Sequence, residues 1–160
     1  MNFARRFLAL PGLAAIALTA CADREETDEV SVAAAPSTPE ITNARLVLSP
    51  VSGNPGAAYF NITNPGEQTL TISSVDIVGA GRMELHRSME MDGKMIMEEM
   101  SGIDVAPGDT TSLAPGGLHV MAFDLDDSVA AGGSVEMTIR FTSGETMTAP
   151  ANVQAAGDAR

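Results

Sequence analysis

The chain has 160 residues, enough for one domain, and sets nine Lys and Arg against twenty-one Asp and Glu for a formal net charge of −12. That acidity excludes the basic face on which nucleic-acid binding depends. Cys21 is the only cysteine, so everything after it lacks a disulfide, a thiolate nucleophile and a Cys-ligated zinc, Fe–S or blue-copper centre.

Taken in order, the chain opens with Arg5 and Arg6 and an apolar run, FLALPGLAAIALTA, from Phe7 to Ala20. The run is short and broken by Pro11 and Gly12, which fits a secretory signal better than a membrane span. Residues 1–20 are therefore expected to be a leader, and its end, Leu18-Thr19-Ala20-Cys21, resembles the lipobox of bacterial lipoproteins. That resemblance implies cleavage before Cys21, a lipid on its sulfur and tethering of the exported chain to a membrane of the cell envelope. From Cys21 onward the formal balance is −14, seven bases against twenty-one acids. Residues 21–41 are acidic, small and proline-bearing and read as a disordered tether.

Beyond Thr42 the pattern changes. Short β-prone runs follow one another: ARLVLS (44–49), AAYFNIT (57–63), TLTISSVDIV (69–78), MELHRSMEM (83–91), KMIMEEM (94–100), LHVMAFDL (118–125) and SVEMTIRFT (134–142). Turn signals separate many of them, among them Asn64-Pro65-Gly66, Asp92-Gly93, Pro107-Gly108, Pro115-Gly116-Gly117 and Gly132-Gly133. No segment holds a helical period over three turns. The pattern predicts a single all-β sandwich or barrel over residues 42–153, with residues 154–160 as a frayed tail.

Six of the ten methionines fall between Met83 and Met100, around His86. Asp92-Gly93 is a strong signal for a two-residue hairpin turn and sets the register around it. Met91 then faces Lys94, Met89 faces Ile96, Ser88 faces Met97, and His86 faces Glu99. Because faces alternate along a strand, Leu85, Met89, Ile96 and Met100 are expected on the core side. His86, Ser88, Glu90, Met95, Met97 and Glu99 take the other face, with His86 and Met97 as diagonal neighbours. The second histidine lies in Gly117-Leu118-His119-Val120-Met121, where His119 and Met121 project together from a strand. Either pairing alone is matched by chance in a methionine-rich chain. Together, two imidazoles and two thioethers make an uncharged, soft-to-borderline donor set, and thioether sulfur selects Cu(I) over zinc or hard cations.

These positions also carry a resemblance. His86, ten residues, Met97, twenty-one residues, then His119-x-Met121 is similar to the motif of the PCuAC periplasmic copper(I) chaperones. Gly56–Asn64, Glu84–His86, Met91–Met97, Val105–Gly108 and Leu113–Met121 extend the likeness. The resemblance implies a cupredoxin-like β-sandwich that binds one Cu(I) through His86, Met97, His119 and Met121. It implies delivery to cytochrome c oxidase subunit II, alongside or through Sco-type proteins, in the periplasm. Met95, on the face of Met97, reads as a rim-packing residue or else as an auxiliary or incoming sulfur, and a monomer is expected. Two departures stand out. Arg45-Leu46 replace an aromatic residue usual near the first strand, and the tail lacks the His and Met that hold a second copper in some members. Sequestration without an acceptor, or a structural sandwich whose methionines only pack, are the alternatives. No Ser/His/Asp order or paired-carboxylate motif suggests an enzyme.

Overall fold

The computed structural model describes residues 38–158. The leader, Cys21 and most of the expected tether lie outside them. The described residues fold into ten strands and no helix: β1 (Glu40–Val47), β2 (Gly56–Thr63), β3 (Leu70–Ile77), β4 (Ala80–Met91), β5 (Lys94–Glu99), β6 (Ile103–Val105), β7 (Thr110–Leu113), β8 (Leu118–Leu125), β9 (Ser134–Phe141) and β10 (Thr146–Gln154). β1 starts two residues before the expected boundary, and Ile41 packs against the core.

The strands run in the order β5-β4-β8-β2-β1-β10-β9-β3-β6, with β7 beside β2. The sheet folds back on itself so that β3 also packs against β4. Every pairing is antiparallel except that of β1 with β10. The core lies between the inward faces, where Leu46, Phe60, Ile72, Leu113, Val120 and Ile139 are fully enclosed. Alternation puts them there: β2 reads buried and half-buried in strict turn from Gly56 to Thr63. Asn64 is the buried polar residue of the Asn-Pro-Gly turn. Its amide donates to the carbonyls of Gln68 at 2.7 Å and Val105 at 3.0 Å, which ties the turn to β6.

The hairpin of β4 and β5 has the register that its turn dictates, from Met91 opposite Lys94 to His86 opposite Glu99. Asp92 and Gly93 both have positive φ, 53° and 74°, as a type I′ turn requires. Its expected core face is only half realised. Leu85 is buried and Met100 packs on the core. Met89 is half-buried and does not join the core cluster, and Ile96 is 38% exposed. The cause is length. β4 pairs with β8 only as far as Arg87 opposite Leu118, so the end of the hairpin extends beyond that pairing and its apolar face is only partly covered.

Candidate metal centre

Strand pairing brings the two halves of the motif together. β4 lies between β5 and β8. His86 is directly opposite His119, and Met121 is opposite Glu84. Met97 is opposite Ser88, two pairs beyond His86 and therefore on the same face. All four motif residues therefore project from one face of three adjacent strands, the face away from Leu85 and Val120. The two imidazole rings are tilted by 41°, with centroids 5.8 Å apart.

The rings are held differently. The carbonyl of Gly117, 3.0 Å from His119 Nδ1, accepts a hydrogen bond from it. That leaves the Nε2 lone pair of His119 free. His86 Nε2 lies 2.9 Å from Glu84 Oε2. A carboxylate accepts, so the proton belongs on Nε2 and the lone pair on Nδ1. His86 Nδ1 is buried and has no hydrogen-bond partner among the described residues. An unpaired buried acceptor costs about 1–3 kcal/mol, and a cation bound there would repay it. Glu84 is itself anchored by an ion pair with Arg82, whose guanidinium sits 3.8 Å from the centre of the Phe123 ring.

The centre is graded in exposure. His119 is buried, His86 and Met121 are partly covered, and Met97 is 60% exposed. Tyr59 flanks the buried end, its ring centre 6.4 Å from that of His119. Burial pushes the Tyr59 phenol above its usual pKa of 10.0, partly offset by Arg45, whose guanidinium carbon lies 5.0 Å from the ring centre. Met95 shares the face of Met97 but sits opposite Glu90, one step nearer the turn, and is exposed. Sequence reasoning left Glu84 without a role. Its signal was the Glu-x-His spacing, which places both side chains on one strand face. Tyr59 and Gly117 gave no such signal, because their approach to His119 depends on long-range pairing.

Among the described residues no three His, Cys, Asp or Glu side chains gather to hold a metal. The sulfur atoms that share a strand face with the two histidines are those of Met95, Met97 and Met121.

Fold and site face together define a PCuAC-type domain, a cupredoxin-like β-sandwich with the strands that carry His86, Met97, His119 and Met121 toward one end of the sheet. The copper-bound PCuAC domain of PmoF2 has a similar fold, with a TM-score of 0.61 at 20% identity over 73% of this chain and 92% of that one. The Cu(I) form of DR1885 from Deinococcus radiodurans gives 0.57 at 25% identity, over 84% of this chain and 89% of that one. The chain belongs to the LpqE-like family, described as "Putative lipoprotein LpqE-like", whose pattern matches residues 39–153. A relative from Leifsonia xyli subsp. xyli, "Putative lipoprotein Lxx21020", is 33% identical over 91 residues. That match spans 56% of this chain and 55%, about half, of the relative.

Proposed function

We propose that this protein is an extracytoplasmic Cu(I) carrier, exported by residues 1–20, held to a membrane by a lipid on Cys21, and built to hand its copper to a membrane cuproprotein. The pairing of His86 with His119 is the observation that carries this reading. It puts two imidazoles on the strand face that also carries Met97 and Met121, and one ring nitrogen, His86 Nδ1, is buried and unpartnered. The copper-bound and Cu(I)-bound relatives support the choice of metal. So does the chemistry, since a d¹⁰ ion imposes little geometry and thioethers favour Cu(I). The lipoprotein names of the family and of the Leifsonia relative support the anchor.

The ligands are assigned as His86, Met97, His119 and Met121, with Met95 as an auxiliary sulfur on the same face. All are neutral, so thiolates of an acceptor hold copper more strongly and displace them stepwise, with no change of oxidation state. By family resemblance the acceptor is cytochrome c oxidase subunit II, reached directly or through a Sco-type protein.

Competition with a chromophoric Cu(I) chelator under reducing conditions is expected to show one Cu(I) per chain. His119→Ala or Met97→Ala should weaken binding by at least about tenfold. No binding by the parent protein under these conditions overturns the reading. Low oxidase activity in a deletion strain at limiting copper supports delivery. Normal activity with raised copper sensitivity instead supports sequestration.

A further inference from the structure

β5 ends the sheet and is paired on one side only among the described residues. Its free side is not an arbitrary edge, because the hairpin fixes which residues face it. The Met100 amide donates to the Leu85 carbonyl at 2.7 Å, so Leu85 and Met100 form a hydrogen-bonded pair. Such pairs alternate along an antiparallel ladder. Lys94, Ile96 and Glu98 therefore turn their backbone groups toward β4, and Met95, Met97 and Glu99 turn theirs outward. Met97 thus offers two things at one point: a thioether on the site face and an unpaired amide and carbonyl at the sheet edge.

Exposed edges are usually blunted by charge, proline or a bulge. Lys94 and Glu98-Glu99 bracket this one, but its centre is Met95-Ile96-Met97, exposed throughout. No bulge interrupts its register with β4. The surrounding charge is mostly acidic: Glu90, Asp92, Glu98 and Glu99 against Lys94 and Arg87. A second copy of this acidic chain would bring like charges together, whereas a basic strand would be attracted.

We propose that the outer edge of β5 is the docking surface for the copper acceptor. The acceptor adds a basic, extended segment as an antiparallel strand, and its residue opposite Met97 supplies the incoming copper ligand. The proposal rests on the copper reading above. Directly opposed side chains share a face, with Cβ atoms about 4.5–5.5 Å apart. A cysteine opposite Met97 therefore lies beside the site once the backbones pair. In the exchange the Cu–S bond to Met97 breaks, a Cu–S bond to the acceptor thiolate forms, the thiol proton goes to solvent, and copper stays Cu(I). The exposed ligand leaves first, while His119 holds the ion from the buried side.

The test uses a synthetic peptide, Lys-Val-Lys-Val-Cys-Val-Lys-Val-Lys, and its serine counterpart. Titrating the serine peptide into the protein is expected to shift and protect the amides of Met95, Met97 and Glu99, read by ¹H–¹⁵N NMR and hydrogen exchange. Copper should pass from the loaded protein to the cysteine peptide. Glu99→Pro removes one outward amide and leaves the β4 ladder intact, so transfer should slow by about tenfold with the Cu(I) affinity within about threefold of the parent. Transfer at the parental rate in that variant, amide shifts elsewhere than β5, or β5-mediated dimers in place of peptide binding would each overturn the proposal. Failure of the parent to take up Cu(I) would sink the copper reading instead, and the serine-peptide titration would still report on the edge.

Discussion

At the scale of single residues, Glu84 shows how little of a site lies in its ligands. Its carboxylate accepts a hydrogen bond from His86 Nε2 and is itself pinned by Arg82. It therefore selects which ring nitrogen of His86 keeps its lone pair. Hydrogen-bond partners of this kind are worth about 10–100-fold in metal affinity. Glu84→Gln keeps the shape but offers the ring a weaker acceptor, and its amide can donate instead. We expect the Cu(I) affinity to fall by about tenfold, with long-range ¹⁵N correlations showing His86 shared between its two tautomers. An unchanged affinity and a single tautomer would remove Glu84 from this role. His86, Met97, His119 and Met121 were legible as candidates because imidazole and thioether are scarce and their spacing fits strand faces. Glu84 was not, because acidic residues are common in this chain and only contact distinguishes one from another.

At the scale of elements, the β4–β5 hairpin was the most legible part of the fold. Asp92-Gly93 dictates a two-residue turn, and the turn fixes every pair down to His86 and Glu99. The glycine is required by conformation rather than by crowding. Its φ is +74°, and a Cβ there would meet nothing within 4 Å. Gly93→Ala is therefore expected to destabilise the domain by about 1–2 kcal/mol, read as a lower urea midpoint at unchanged slope, and to loosen Met97 with the rest of β5. Other elements were not legible. β6 and β7 are three and four residues long, too short to show alternation. β10 contains Pro150, which reads as a strand breaker. Here it pairs with Glu136 of β9, while pairing with β1 begins only at Asn152. The free side of the strand at Pro150 has no bond to lose, so the proline is tolerated. The hairpin's projecting end was misjudged for a related reason: alternation assigns a face, but only the extent of pairing with β8 shows how far that face is covered.

At the scale of the whole molecule, stability and site are separate problems solved on opposite faces of the same strands. β2 turns Phe60 into the core and Tyr59 toward His119, and β8 turns Val120 inward and His119 and Met121 to the other face. Phe60 is fully buried. Phe60→Ala is expected to cost about 3–5 kcal/mol, measured by urea unfolding of the copper-free protein.

The one parallel pairing, Arg45–Val47 with Asn152–Gln154, joins the first strand of the sheet to the last. Contacts so far apart in sequence are entropically expensive to close and slow the search for the native state. Strands β1 to β9 therefore wait for β10 before the sheet is continuous, and during synthesis β1 keeps an open side until the last strand arrives. The strands from β5 to β1 and those from β9 to β6 are thus joined by hydrogen bonds only through β10, and a chain cut short before it is left with two unjoined half-sheets.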